Sequence, residues 1–297
     1  MPRSGTILML LAAAALALGA VAPNPHLVQL APDIYAYQEM RAQGDYTTNV
    51  LIVLSPEGVL VADGEGDVEA TRRVVEQVAK LTPAPIKWIV IGSDHGDHTG
   101  GDVAYPANAS WYVSAASKAT LLAQERSPRA KPNAWKLPAN AVVVSGTQTL
   151  RVGDKDVQIL SLGRAHTGGD LEVYVPGRKL LYMSETYRNH LFPSLRTGYP
   201  TEWLHELDRA LAMHANTYVP AHGDIVPGPS SRTGVEEYRG SLQYVIDVVT
   251  KLHNAGVPVD QAVKKANWGP YASWNSAKPL GPAAVRRIYA ELDGTLK

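Results

Sequence analysis

The sequence predicts an α/β fold in which two β-sheets carry helices on their outer faces. Short apolar runs separated by turn residues indicate strands, and segments with helical spacing of apolar residues lie between them. The second half of the chain repeats the strand-and-helix pattern of the first half. Elements that alternate in this way are typical of a layered domain. The 297 residues, of which 45% are hydrophobic, are enough to bury a large core of this kind.

The elements of the first half follow from turn residues and apolar spacing. Helical spacing runs from Val68 to Leu81, where Asp67 is expected to cap the helix and Pro83 to end it. A turn rich in serine, proline and glycine precedes the third predicted strand. The other elements expected in this half are strands at residues 33–39, 48–54, 58–63, 86–91 and 111–113 and a helix at 114–126.

The second half is predicted to contain more strands and a helical tail. The tail is expected to begin at Thr233, because Thr233 and Glu236 have the spacing of a capping box. Gly256 followed by Pro258 is expected to end that helix. The remaining elements are strands at residues 141–145, 149–152, 157–162, 171–175, 179–184 and 217–220 and a helix at 201–215.

The composition limits the partners and the chemistry. Lysine and arginine together number 28, equal to aspartate and glutamate, so no electrostatic reason exists to expect a nucleic-acid partner. We expect a small-molecule substrate instead, and the sequence does not indicate an oligomeric state. The chain contains no cysteine, so no thiolate is available as a nucleophile or a metal ligand. Any metal must therefore be held by histidine and carboxylate.

Residues 1–22 are expected to be a secretory signal peptide. Arg3 gives the segment a positive start, residues 7–20 are almost wholly apolar, and small residues follow them. The apolar run is shorter than the about 20 helical residues that span a bilayer. The alternative is an uncleaved N-terminal anchor. The sequence thus predicts a periplasmic or secreted protein without stable membrane insertion after signal cleavage.

Histidines and acids follow several of the predicted strands, and glycines flank most of them. Loops at strand ends converge on one rim of a sheet, where a rigid backbone aims their side chains at a common point. Zn²⁺ accepts imidazole nitrogen and carboxylate oxygen as ligands. The sequence therefore predicts a metal centre. Its candidate ligands are His95, Asp97, His98, His166, Glu185 and His222.

Four separate motifs resemble those of the metallo-β-lactamase superfamily. The loop that contains Asp97 and His98, followed by Thr99-Gly100-Gly101, resembles the signature His-x-His-x-Asp-His with its trailing glycines. The segment 165–170 resembles the second histidine motif, and Pro-Ala-His222-Gly resembles the last one. Glu185 stands where the family often has a metal-bridging aspartate. The resemblance covers residues 28–227 and implies an αββα sandwich of two mixed sheets.

The resemblance also implies a function. It predicts a zinc-dependent hydrolase that cleaves an ester, lactone, thioester or amide bond with metal-bound hydroxide. A β-lactam is one candidate substrate, and the resemblance leaves β-lactamase activity itself open. By family position, His95 and His166 belong to a first metal site, and Asp97, His98 and His222 to a second. Asp97 is also the expected catalytic residue, because its free oxygen can orient water.

Two residues depart from the family pattern. Ser93 occupies the position of the first histidine, and Glu185 is one methylene longer than the usual aspartate. The first site is therefore short of ligands unless Glu185 or Asp94 contributes. Glu185 either bridges both sites or supports the second alone. We expect one tightly bound Zn²⁺ and a second that is weak or absent.

Alternatives from other classes remain beside the hydrolase. One alternative is a non-catalytic or accessory binding protein with a degraded metal centre. Another is an enzyme that uses its metal for lyase or redox chemistry. Tyr187, Arg188, His190 and Tyr199 are candidates to line a pocket, with ordinary loop roles as the alternative. The C-terminal tail contains an aromatic cluster formed by Trp268, Tyr271 and Trp274. We expect this cluster to pack in a core, with a wall over the site or a dimer contact as the alternatives.

The chain is expected to form one catalytic domain with an appendage. No short repeat, low-complexity segment or flexible linker divides it. We therefore expect a metallo-β-lactamase-fold catalytic domain at residues 23–230. Residues 231–297 are expected to form a helical C-terminal extension packed on that domain.

Overall fold

A computed structural model describes residues 25–42, 45–128 and 135–296 of the chain. The predicted signal peptide at residues 1–22 lies outside the described residues. Within the described part of the chain, no helix is both long and apolar enough to cross a membrane.

The strands form two large sheets and one small hairpin. The first sheet has seven strands and the second has five. In chain order the strands are β1 (His26–Ala31), β2 (Ile34–Gln38), β3 (Met40–Ala42), β4 (Asp45–Tyr46), β5 (Val50–Val53), β6 (Val59–Ala62), β7 (Ile86–Val90), β8 (Ser110–Ser114), β9 (Val142–Val144), β10 (Thr147–Val152), β11 (Lys155–Leu160), β12 (Glu172–Val175), β13 (Leu180–Tyr182) and β14 (Thr217–Val219).

Both large sheets are mixed. In the order β1-β2-β5-β6-β7-β8-β9, the strands are antiparallel up to β6 and parallel from β6 onward. In the order β10-β11-β12-β13-β14, only the pair β13 and β14 is parallel. The α-helices are α1 (Val68–Leu81), α2 (Gly96–Thr99), α3 (Ala115–Glu125), α4 (Pro200–Ala212), α5 (Ser231–Asn254), α6 (Val259–Lys265) and α7 (Ala277–Leu292).

Three apolar clusters show how the layers are stacked. Leu51 and Val53 of β5 pack with Val173 of β12 and Tyr182 of β13, so the central cluster lies between the two sheets. Because side chains alternate along a strand, the other face of β5 packs with residues of α1 and α3. The second sheet is covered on its outer face by α4, α5 and α7. This layering confirms the predicted αββα sandwich.

The C-terminal helices share a core with the rest of the chain. Helix α5 packs against α4 and β14, and α7 packs against α5 and α4. Trp203 and Leu207 of α4 lie in one buried cluster with Tyr238 and Leu242 of α5 and Val285 of α7. The helical tail is therefore joined to the sheet layers by apolar burial, which is the dominant favourable term in such packing.

Some local predictions agree with the structure and others do not. Helix α1 has the predicted bounds, and Asp67 caps it by accepting a hydrogen bond from the backbone of Ala70 at 2.9 Å. The capping box at Thr233 is wrong, because α5 already begins at Ser231 and Glu236 pairs with Arg232 instead. Strand β1 has no counterpart among the predicted elements, since its alternation of apolar residues is weak and its residues are only partly buried.

Candidate metal centre

A short helical turn directs the three residues of the first motif in different directions. Helix α2 begins at Gly96, and the backbone N–H of His98 donates to the carbonyl oxygen of His95 at 3.0 Å. His98 is fully buried, whereas the side chain of Asp97 is 48% exposed. His95 lies at the helix entrance and is half-buried. Helical spacing thus sends His98 inward and leaves Asp97 at the opening of the site.

The other candidates come from loops that follow β11, β13 and β14. His166 lies in a tight turn in which the N–H of Ala165 donates to the carbonyl of Thr167 at 3.0 Å. Glu185 lies in a single 3₁₀ turn directly after β13. His222 follows β14, and its neighbour Ala221 donates from its backbone N–H to the carbonyl of Ser184 at 3.0 Å. The structure brings all of the predicted ligands to one place.

The second donor set consists of Asp97, His98 and His222. One potential ligand atom of each lies within 4.8 Å of the others and of an oxygen of Glu185. Oε1 of Glu185 is 2.6 Å from Nε2 of His222 and 3.1 Å from Nε2 of His98. Oδ2 of Asp97 is 3.5 Å from the same nitrogen of His222. This set matches the predicted second metal site.

The first donor set consists of His95 and His166. Nδ1 of His95 lies 3.0 Å from Nε2 of His166. The fully buried Ser93 offers a hydroxyl in place of the family's imidazole, and its oxygen accepts the backbone N–H of His95 at 3.4 Å. Asp94 is not part of the group of convergent histidine and carboxylate atoms among the described residues, whereas Glu185 is. Among the alternatives for a third ligand, the geometry therefore favours Glu185.

Glu185 lies between the two donor sets. Its Oε1 faces His98 and His222, while its Oε2 lies 3.4 Å from Nε2 of His166. This carboxylate is 2% exposed, and Oε2 has no hydrogen-bond donor among the described residues. Of the two roles predicted for Glu185, the bridging one agrees with this arrangement.

The donor set fits a bound divalent metal ion. The convergent atoms are imidazole nitrogens and carboxylate oxygens, the ligand types that zinc takes in proteins without cysteine. Burial lowers the pKa of His166 to about 3, so its imidazole is neutral at physiological pH and keeps a lone pair for a metal. Oε2 of Glu185 is buried and accepts no hydrogen bond among the described residues, although Arg188 lies 3.5 Å away as an ion-pair partner, so this oxygen is available to a metal ion.

Asp63 supports the centre, a role that the sequence did not predict. Its Oδ2 lies 3.1 Å from Nδ1 of His98 and accepts the hydroxyls of Tyr182 at 2.7 Å and Ser184 at 2.6 Å. The negative charge of Asp63 beside Nδ1 favours a proton on that nitrogen, although the contact lacks hydrogen-bond geometry, and Nε2 is the nitrogen of His98 that is directed at Glu185 and the centre. Asp63 follows β6 with a positive φ of 64°, and its place at a strand end was the available signal.

His222 has a corresponding partner in the backbone. Its Nδ1 lies 3.1 Å from the carbonyl oxygen of Thr47, which can only accept a hydrogen bond. Nδ1 therefore carries a proton, and Nε2 is the nitrogen that faces Glu185. Burial lowers the pKa of His222, but Glu185 and Asp97 outweigh this and raise the pKa to about 9, so both ring nitrogens carry protons until a metal displaces the one on Nε2. The loop before β5 is fixed by Thr48, whose hydroxyl donates to the carbonyl of Asp97 at 2.8 Å. The same loop thus orients members of the second donor set.

The predicted pocket candidates have different positions. Arg188 lies at the centre, with Nε 3.5 Å from Oε2 of Glu185 and Nη1 donating to the carbonyl of Phe192 at 3.3 Å. His190 is exposed and pairs with Glu237 at 3.0 Å, so it faces away from the donor sets. Tyr187 is buried in the core.

The aromatic cluster of the tail packs close to the loop after Glu185. The ring of Trp274 lies 5.7 Å from that of His190, and the ring of Trp268 lies 5.2 Å from that of Phe192. Tyr271 packs edge-on against Trp274. Of the predicted roles, the described contacts agree with packing of the tail against this loop.

Comparison with known proteins gives related chains of modest identity. No family model matches the chain. It is 24% identical over 267 residues to a linear primary-alkylsulfatase from Pseudomonas sp. (strain ATCC 19151), over 74% of this chain and 50% of the relative. The chain thus spans about half the length of that curated relative.

Solved structures share the fold. A metallo-β-lactamase from Pontibacter korlensis matches with a TM-score of 0.62 at 16% identity, over 73% of this chain and 99% of the other. A stereoselective inverting sec-alkylsulfatase from Pseudomonas sp. matches with a TM-score of 0.66 at 16% identity, over 90% of this chain and 50% of the other.

Proposed function

Because the chain has the fold of the metallo-β-lactamase superfamily, we propose that it is a zinc-dependent hydrolase of small molecules. The observation that carries the proposal is Glu185, whose two oxygens face two separate groups of imidazoles. His95 and His166 would hold one metal ion, Asp97, His98 and His222 the other, and Glu185 would contribute to both. The proposed bond is an ester, lactone, thioester or amide.

A zinc ion in such a site lowers the pKa of water from about 16 towards about 7 and polarises the bond under attack. The residues of the chain position the reactants around it. The carboxylate of Asp97 is the exposed member of the centre, so it is the group that meets a substrate and a water molecule entering from solvent. Burial by itself raises the pKa of Asp97, but the imidazoles of His222 and His98 outweigh this and hold the pKa below its usual range. Asp97 is therefore ionised at neutral pH, and its oxygen not directed at His222 can accept a proton from water.

The matched test of this proposal replaces one ligand and one ordinary histidine. His98→Ala removes a buried ligand of the second donor set, whereas His205→Ala changes an exposed residue of α4. We expect His98→Ala to lose bound zinc, measured by mass spectrometry of the metal, together with hydrolysis of a panel of chromogenic esters, lactones, thioesters and β-lactams. His205→Ala is expected to keep both. Hydrolysis by His98→Ala at the wild-type rate would defeat the proposal.

A second candidate function is hydrolysis of sulfate esters. Two of the similar proteins are named alkylsulfatases. Arg188 is the residue that favours this candidate, because its guanidinium lies beside Glu185 with only 13% of its side chain exposed and suits an anionic group. With alkyl sulfates as substrates, Arg188→Gln is expected to raise KM more than it lowers kcat. Equal KM values for wild type and variant would remove this candidate.

The proposal also includes export. Residues 1–22 have the composition of a signal peptide, which supports a periplasmic or secreted location. Fractionation of cells that produce the full chain, with N-terminal sequencing of the product, tests this. A cytoplasmic product that retains Met1 would contradict export without affecting the proposed chemistry.

A further inference from the structure

We propose that Arg287, on helix α7 of the C-terminal extension, is a positioning residue for the first donor set. It would act through Thr197, and the inference rests on the proposed function of the same centre. The structure gives a continuous chain of contacts from the outer helix to the imidazole of His95. Each link is a hydrogen bond between described atoms.

The hydroxyl of Thr197 contacts both members of the first donor set. Its Oγ1 donates to the carbonyl oxygen of His166 at 3.0 Å and lies 3.2 Å from Nε2 of His95. A hydroxyl has a single proton, and a carbonyl oxygen has none to donate, so the proton of Thr197 is used in the bond to His166. Oγ1 must therefore accept the N–H of His95, so Nε2 of His95 carries the proton. Nδ1 of His95 is left with its lone pair, and this is the nitrogen that faces His166.

Thr197 orients the ligands that remain in a set without the usual third histidine. Because Ser93 supplies no imidazole and its hydroxyl oxygen accepts the backbone N–H of His95, the first donor set depends on the orientation of only two imidazoles and on Glu185. Loss of a partner that fixes the ring and tautomer of a ligand typically lowers metal affinity by about 10–100-fold. The position of Thr197 is therefore important for this set in particular.

Arg287 holds the two consecutive backbone carbonyls that follow the Cα atom of Thr197. Its Nη2 donates to the carbonyl of Thr197 at 3.0 Å, and its Nε donates to the carbonyl of Gly198 at 2.6 Å. The planar fork of a guanidinium suits two adjacent carbonyls, whereas a lysine ammonium is a single point of contact. One side chain from α7 thus fixes two consecutive peptide groups.

The neighbouring residues limit any other arrangement of this loop. The ring of Tyr199 lies under two guanidinium groups, with that of Arg164 at 4.1 Å and that of Arg287 at 5.2 Å from its centre. Its backbone N–H donates to Ala165 at 2.8 Å, next to His166. A side chain at Gly198 would contact the carbonyl of Ala165 at 3.1 Å. The loop is packed closely between the extension and the His166 turn.

The test measures metal binding directly. Metal-free protein is titrated with Co²⁺, whose visible absorption reports ligand binding, for wild type, Arg287→Ala and Arg287→Lys. In the wild type we expect a tight phase from the second donor set and a weaker one from the first. Arg287→Ala is expected to lower the Co²⁺ affinity of the weaker phase, which belongs to the first donor set, by about tenfold. The tight phase of the second donor set is expected to stay unchanged. Arg287→Lys is expected to have an affinity between those of the wild type and Arg287→Ala, since lysine restores one hydrogen-bond donor.

The adjacent residue provides a matched control. Arg286 lies on the same helix, but its Nη2 pairs with Asp260 at 2.7 Å on an exposed surface. Arg286→Ala is expected to leave both phases unchanged. Thr197→Val keeps the shape of the side chain and removes the hydroxyl, so it is expected to weaken the same phase. Arg287→Ala and Thr197→Val both break the same chain of contacts. The double variant should therefore lose less Co²⁺ affinity than the product of the two single fold-losses.

Several outcomes would overturn the inference. One is a lower melting temperature for Arg287→Ala with both Co²⁺ phases unchanged, which would make the role of Arg287 purely structural. Another is an equal loss of affinity in Arg286→Ala. A single tight phase in the wild type would overturn the inference but leave the second donor set and the hydrolase proposal standing. Absence of any Co²⁺ binding in the wild type would overturn both.

Discussion

Oε1 of Glu185 lies 2.6 Å from Nε2 of His222, while the other oxygen of the same carboxylate lies 3.4 Å from Nε2 of His166. The two histidines come from loops after different strands of the second sheet, β14 and β11. One acidic side chain therefore links two groups of imidazoles that are far apart in the sequence. The predictions below concern this link, its support and the packing around it.

Glu185→Gln is expected to lower the metal content of the protein. The amide has nearly the same size but lacks the negative charge, and its nitrogen cannot serve as a ligand towards either set. We expect metal affinity to fall by about 10–100-fold, most for the first donor set, where Glu185 is one of only three donors. The measurement is metal per chain after dialysis. Glu237→Gln, an exposed change next to His190, serves as the control, and an equal loss there would contradict the prediction.

Asp63→Asn is expected to weaken the second donor set. The change places an amide N–H among groups that all donate to the Asp63 carboxylate, including the hydroxyls of Tyr182 and Ser184. His98 then loses the partner that keeps its proton on Nδ1, and zinc affinity is expected to fall by about 10–100-fold. Competition with a chromophoric chelator measures this change.

Asp33→Asn is the matched control for that experiment. Asp33 also has a positive φ, 61°, but its side chain is 60% exposed and faces Lys155. Asparagine tolerates this backbone conformation, so neither variant is strained by its backbone. An unchanged zinc affinity in Asp63→Asn would show that Asp63 does not orient His98.

Glu206→Gln is expected to make the protein less sensitive to alkaline pH. Glu206 and Glu172 are both fully buried, and their oxygens have no hydrogen-bond donor among the described residues. Burial, and then the charge of Glu172, raise the pKa of Glu206 well above its usual value of 4.5. The folded protein therefore retains a proton that the unfolded chain releases.

The sign of the pH dependence follows from this proton. Stability is fully present below the unfolded pKa of 4.5 and is lost as the pH rises through the higher folded pKa. The slope is up to about 1.4 kcal/mol per pH unit between the two values. Glutamine donates an N–H to Glu172 without titrating, so the free energy of unfolding should fall less with rising pH. Denaturant unfolding between pH 5 and pH 9 (roughly the window of native stability) measures this, with the exposed Glu236→Gln as control. Parallel pH profiles for wild type and Glu206→Gln would refute it.

Leu207→Ala is expected to destabilise the whole chain. Leu207 of α4 is fully buried in the cluster that joins the sheets to the C-terminal helices. Loss of a buried leucine costs about 2–5 kcal/mol of unfolding free energy, because it removes contacts and leaves a cavity. Leu292→Ala changes a leucine that is 40% exposed and is expected to cost less than about 0.5 kcal/mol. Thermal unfolding of the two variants, each compared with wild type, checks the difference. Separate transitions for the two parts would show that the extension unfolds on its own.

The sequence predicted the elements that local rules determine. The bounds of α1 and the cap at Asp67 followed from apolar spacing and one short polar side chain, and the structure agrees. The candidate ligands were identified because each lies near the end of a predicted strand. The capping box at Thr233 was wrong because the helix already begins at Ser231, whose hydroxyl oxygen accepts the backbone N–H of Tyr218 in β14 at 2.8 Å, a tertiary contact that local spacing does not indicate.

By itself, the sequence determined the layered α/β fold and the residue types available to a metal. These depend on periodicity and composition, which are properties of neighbouring residues. Only the tertiary structure decided how the ligands are shared. It directed the hydroxyl of Ser93 to the backbone N–H of His95, placed Glu185 between the two donor sets, and brought Asp63 to His98 and Thr197 to His95. Such contacts join residues from different strands and loops, so their geometry is set by the packing of the two sheets and the C-terminal helices and not by local spacing.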